Sequence, residues 1–276
     1  MDGGKKPPSK GIRMRGPIRP GIRFSSVSSL FLTLSLSLFI ILNGRAEALS
    51  QDEKGLLESE WGTPLQAVET PSDLDDNLLG WIAPDGGART YQVWEVRSRP
   101  KQEVQIFLNR SKENSENLWE YRMNGDESQI LEETPEGHLV IQGATDKHEG
   151  VSTRFEPPKP LLKLHSTINE TTRQNYAILV YDLKSPDQLK HSGSMEAQIT
   201  PLGTYKITVP AGTFEGLLVR SIARGEVGPA KLEDTQYRLY ARDTGLIAAL
   251  EQRKVSAFKI YQSTTKTVRV LSKPGR

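Results

Sequence analysis

The sequence predicts an all-β protein: a curved antiparallel sheet, half-barrel or open barrel, built from successive hairpins and preceded by an irregular N-terminal arm. Three observations carry that expectation. Short alternating segments rich in β-branched and aromatic residues recur from Thr90 onwards. Turn residues separate them at even spacing, and no window sustains an apolar period of 3.6 over the ten or so residues of a helix. The chain has no cysteine. Disulfides, thiolate nucleophiles and sulfur-ligated metals are thereby excluded, and the fold must rest on its core.

The first 48 residues read as an export signal. Lys5, Lys6, Lys10, Arg13, Arg15, Arg19 and Arg23 form a basic leader, followed by the uncharged run Leu30 to Leu42. That run is too short to span a bilayer comfortably, and Ala46-Glu47-Ala48 places small residues where a signal peptidase reads them. Cleavage after Ala48 removes eight of 36 basic and two of 34 acidic residues, leaving 28 and 32, a net charge of −4. A mildly acidic mature chain has no general attraction to nucleic acid or anionic lipid. The sequence therefore predicts a periplasmic or secreted protein with no nucleic-acid partner and no stable membrane span after cleavage.

Residues 49–89 read as an extended arm with at most one short helical turn, docking through Trp61 and Trp81. The β domain is expected over 90–272. In its first strand Tyr91, Val93 and Glu95 share one face. Val104, Ile106 and Leu108 do so in the next, and Trp119, Tyr121 and Met123 in the third. Asn124-Gly125 is a hairpin turn, because Asn-Gly tolerates positive φ at both positions. Pro157, Pro158 and Pro160 cannot donate to a ladder, so this stretch should be an edge or a crossover. Asn175 to Asp182 reads as a central strand. Six further segments, the last two "VSAFKIY" and "KTVRVLS", should make three hairpins.

The sharpest motif is "TVPAGTFEGLL", Thr208 to Leu218. Proline at the second and glycine at the fourth position of Val209-Pro210-Ala211-Gly212 suit a type I turn. With Gly212 left-handed, a three-residue loop closed by a bulge would set Val209 opposite Thr213 and Tyr205 opposite Leu217. Tyr205, Ile207, Leu217 and Val219 would then share a face. Nothing in the motif shuttles protons, binds metal or attacks a carbonyl.

Val209 to Phe214, with Tyr240-Ala241 and Gly245-Leu246-Ile247 downstream, resembles a signature of exported bacterial β-rich proteins of unknown function. The chain departs from it at Arg242-Asp243-Thr244, where proline is often found. The resemblance covers roughly the last 75 residues. It implies a fold similar to the lipoprotein-carrier half-barrels, a curved sheet around an apolar concavity, and supplies no catalytic residues.

Candidate chemistry is sparse. His138, His148, His165 and His191 are spaced too widely for a local metal motif. Asp73, Asp75 and Asn77 resemble the start of a calcium loop, but Leu78 and Pro84 stand where glycine and glutamate are needed. Ser192 and Ser194 flank His191 without a nucleophile elbow. The sequence points to no enzyme, no cofactor and no metal. Two functions are in play. One is a carrier or sensor holding a hydrophobic ligand or a lipoprotein tail against Trp94, Phe107, Trp119, Tyr205, Phe214 and Phe258; its motive is the surplus of strands apolar on both faces. The other is an assembly or interaction module with a filled core, using strand edges and the arm.

Overall fold

The computed structural model describes residues 48–69, 78–82, 87–96, 101–110, 117–258 and 261–275. The leader before Ala48, and Asp73, Asp75 and Asn77, lie outside the described residues.

In its described residues the arm is not simply extended. Helix α1 (Gln51–Trp61) runs for 11 residues. The signal was Ser50-Gln-Asp-Glu53, a capping box. The Glu53 N–H donates to Ser50 Oγ at 3.2 Å, and the Ser50 N–H donates to Glu53 Oε2 at 3.0 Å. Gly62, at φ 71°, ends the helix in the left-handed conformation. Strand β1 (Gln66–Ala67) and the short α2 (Leu79–Ile82) complete the arm. Trp61 and Trp81 are both buried, as docking anchors should be.

Twelve strands follow as a continuous antiparallel meander: β2 (Arg89–Glu95), β3 (Gln102–Arg110), β4 (Leu118–Met123), β5 (Glu127–Glu133), β6 (Leu139–Asp146) and β7 (Val151–Leu162); then β8 (Thr172–Asp182), β9 (Leu189–Val209), β10 (Gly212–Val227), β11 (Ala230–Ala241), β12 (Gly245–Ala257) and β13 (Tyr261–Lys273). Each pairs with its predecessor, and β13 returns to pair with β2 from Thr267↔Glu95 to Lys273↔Thr90. The half-barrel or open barrel expected from the sequence is thus a closed 12-stranded barrel. Closure pairs most of the sheet's edges but leaves one along upper β9, beyond the end of its pairing with β8 at Ile199. Strand β1 pairs with the upper part of β9, at Gln66↔Lys206.

Three local expectations change. "VSAFKIY" is no strand of its own: Val255 to Ala257 end β12 and Tyr261 begins β13, so the last six segments are five strands. The proline stretch lies within β7 rather than interrupting the meander. Strand β7 pairs with β6 on both sides of the prolines, at Val151 to Arg154 and again at Lys159, Pro160 and Leu162. Its pairing with β8 ends at Glu156, so the stretch is an edge on that side, as the prolines predict. The motif hairpin has a two-residue loop, Pro210-Ala211, because Gly212 pairs with Val209. Gly212 takes φ 135°, positive but not left-handed helical. The register is one residue from that expected, so Tyr205 and Ile207 share their face with Phe214 and Leu218 instead of Leu217 and Val219.

The two faces of the wall differ round the barrel. Over β3, β4 and β9 the outward positions are Glu103, Gln105, Asn109, Glu120, Arg122, Glu196 and Gln198, a solvent-facing surface. Over β10–β13 and β2 one outward register row reads Arg220, Tyr237, Leu250, Val268 and Trp94. The next row holds Leu218, Leu239, Ala248 and Val270. Helix α1 lies over these rows, its Leu57 and Trp61 buried in one cluster with them. The outer face of these strands is apolar because the arm covers it.

Candidate functional site

The six aromatic residues singled out from the sequence do not converge. Trp119 faces the lumen, 2% exposed, opposite Leu131. Trp94 is buried on the outer face under the arm. Phe107 lines an outer hollow of about 690 Å³ with Thr90, Gln105, Arg122 and Lys273. Tyr205 and Phe214 pack against the core on the motif hairpin. Phe258 is 73% exposed at the β12–β13 turn, at φ 53°. Only Trp119 borders the barrel interior.

The interior is layered. At the end capped by α2 it is apolar, built from Ile106, Leu108, Leu131, Ile141, Leu161 and Leu246. Helix α2 is held there by the Asp243 N–H, which donates to Gly80 O at 2.8 Å, and by the Arg242 guanidinium 4.8 Å from the Trp81 ring centre. On the β7–β10 wall at the other end, Tyr176, Met195, Ala197 and Ala223 form a second apolar cluster, with Phe155 edge-on to Tyr176 at 5.6 Å.

Between them lies a belt of charge. Inward register rows across β11, β12 and β13 read Arg238, Ala249, Arg269; then Gln236, Glu251, Thr267; then Asp234, Arg253, Thr265. Glu251 accepts from Arg253 Nη2 at 2.6 Å, and Arg269 Nη2 stands 3.9 Å away. Burial by itself would raise the Glu251 pKa, but Arg253, Arg269 and Arg238 hold it below the ordinary carboxylate value. Asp234 goes the other way, raised by burial and by Glu251, although Gln236 Nε2 donates to its Oδ2 at 2.6 Å. Across the lumen, burial lowers the Lys159 pKa. Arg253 faces inward yet its side chain is 48% exposed, so solvent enters the barrel at this level.

Where the charged belt meets the apolar layer, nine strands border a cavity of about 70 Å³. Its polar lining is Arg89, Arg238, Arg269, Gln129, Tyr91, Tyr121 and Tyr240, and no carboxylate. The Tyr91 hydroxyl is committed, donating to Leu246 O at 2.8 Å. Burial raises the pKa of Tyr121 and Tyr240, so both phenols stay protonated donors.

Sequence reasoning missed this belt. Its signal was present: Asp234, Gln236, Arg238 and Tyr240 alternate with Thr235, Tyr237, Leu239 and Ala241. Alternation separates two faces but does not label them, and the more apolar face of β11 is the outer one. The histidines supply no centre. His138 Nδ1 accepts from the Leu164 N–H at 3.2 Å, and His191 is exposed beside exposed Ser192.

No protein-family model and no curated protein matches the chain. Among solved structures it is similar to a candidate lipoprotein from Parabacteroides distasonis ATCC 8503, at 14% identity and TM-score 0.35, covering 70% of this chain and 97% of that one. It is also similar to a candidate exported protein with YmcC-like fold from Bacteroides fragilis NCTC 9343, at 9% identity and TM-score 0.38, covering 71% and 98%. A third is the hypothetical lipoprotein YmcC from Escherichia coli K12, at 9% identity and TM-score 0.34, covering 68% and 85%.

Proposed function

We propose that this chain is an exported, non-catalytic binding protein of the cell envelope that takes the end of a hydrophobic or amphipathic molecule into its barrel. The envelope assignment rests on the basic leader and the Ala46-x-Ala48 site. The binding reading rests on one observation: a cavity of about 70 Å³ inside the barrel, walled by Ile106, Leu131, Ile141, Leu161 and Leu246. Its volume sets a limit. An apolar cavity of about 150 Å³ holds benzene, so this one has room for the end of a chain and not for a whole acyl tail.

Trp119 supplies the test, as a buried tryptophan facing the lumen. Fluorescence titrations with alkyl alcohols and alkyl carboxylates of graded length should give saturable changes that are lost in Trp119→Phe. The absence of any saturable change in a protein shown to be folded would favour the interaction module. That second reading has its own support in β1, which covers only two residues of the upper β9 edge.

A further inference from the structure

We infer that the inner cavity is an anion site, in which Arg238 and Arg269 clasp a carboxylate or phosphate group while its apolar substituent lies on the barrel's aliphatic layer. The inference rests on the binding reading above and names the chemistry of that ligand. Arg238 and Arg269 are both register neighbours of Ala249, from opposite sides. The alanine methyl is the smallest side chain that could stand between them, so both guanidiniums can reach over it towards the cavity that they line. Arg89 joins them from β2 and is 3% exposed. Three guanidiniums thus border a cavity without a carboxylate in its lining.

One acid of the belt, Glu251, is shared among Arg253, Arg269 and Arg238. Glu251 lies one row further down and makes its short contact, 2.6 Å, with Arg253, leaving Arg269 at 3.9 Å. Arg269 Nε is buried without a hydrogen-bond partner among the described residues. A buried donor left unused is costly, and an anionic oxygen would remove that cost. Donors of the right kind surround it. Tyr121 is protonated, and the Tyr240 oxygen accepts from Arg238 while keeping its own proton to donate. Arginine suits the task because its planar fork meets two oxygens of a carboxylate or phosphate at once. The opposite wall, Ile106, Leu131 and Ile141, offers nothing to an anion and a surface for carbon.

The test compares three probes of equal chain length, hexanoate, hexyl phosphate and hexanol, by calorimetry on the mature protein. The expected result is at least a tenfold tighter Kd for one or both anions than for hexanol, and their ranking separates carboxylate from phosphate recognition. Arg238→Met and Arg269→Met should abolish that preference, so that each variant binds the anions no more tightly than it binds hexanol. Arg269→Lys, which keeps the charge but not the fork, should retain part of it and serves as the reading should a methionine variant not fold. Equal affinity for hexanol and both anions would overturn the anion site while leaving lumen binding intact. No binding of any probe would overturn both.

Discussion

Glu53 of α1 and Arg220 of β10 form an ion pair at 2.7 Å, 167 residues apart in sequence. The same Glu53 oxygen accepts the Tyr237 hydroxyl at 2.7 Å, while the other closes the capping box with Ser50. One carboxylate therefore starts the helix and fastens it to two strands. Both side chains of the pair are at most 20% exposed, so the contact is only weakly screened. Glu53→Ala should destabilise the mature protein by about 1.5–3 kcal/mol, the range for hydrogen bonds to a charged group. Urea melts measure it, and a loss below 0.5 kcal/mol, the ordinary scatter of surface substitutions at about that size, would show that the arm is not fastened here.

The same residue gives a pH dependence. Burial by itself would raise the Glu53 pKa, but the Tyr237 hydroxyl, the Ser50 N–H and the Arg220 guanidinium together hold it below the ordinary value. A carboxylate depressed in the folded state stabilises the fold above its unfolded pKa, about 4.3, and loses that contribution as pH falls through the folded value. Wild type and Glu53→Gln should therefore differ most near neutrality and converge in acid. Melts across that range decide it; a gap that widens on acidification contradicts the assignment.

The apolar outer wall under the arm predicts a packing effect. Leu57 is fully buried among Leu239, Leu250 and Val268 in the core cluster. Leu57→Ala should cost about 2–5 kcal/mol, as for other buried leucines. Deleting residues 49–65 should expose the wall and produce binding of an apolar dye. A truncated chain that melts like the intact one would mean that the wall is stable uncovered.

At the motif hairpin, Gly212 sits at φ 135° and pairs with Val209. Gly212→Val should destabilise the fold by at least about 1–2 kcal/mol, since a β-branched residue disfavours positive φ. Pro210→Ala should cost roughly 0.5–1 kcal/mol, by freeing the unfolded chain. Neither should change ligand affinity once the folded fraction is corrected, because the loop lies at the hairpin tip. Selective loss of binding in a fully folded variant would place the motif in the binding machinery.

Export is read from the leader alone. The mature N-terminus should be Leu49, immediately after the Ala46-x-Ala48 site. Edman degradation of the exported protein checks it, and recovery of the uncleaved leader in membranes would replace a released protein with an anchored one.

Local pattern was enough for much of this molecule. Strand composition and turn chemistry set an all-β meander, as Asn124 and Gly125 show at φ 48° and 80°. Alternation also grouped Ile106 with Leu108 and Trp119 with Tyr121 on shared faces, which the structure turns to the lumen. The capping box at Ser50 and Glu53 was legible and outweighed the weak apolar pattern behind it. What alternation could not provide was the meaning of each face. Tyr237 and Leu239 form the more apolar face of β11, yet they lie outside beneath α1, and Arg238 between them points into the lumen. That assignment depends on where a helix more than 170 residues away comes to rest and on β13 finding β2. Both are long-range contacts whose free energy comes from burying surfaces that no single segment carries. The barrel's closure, and the charged belt within it, were decided by tertiary packing alone.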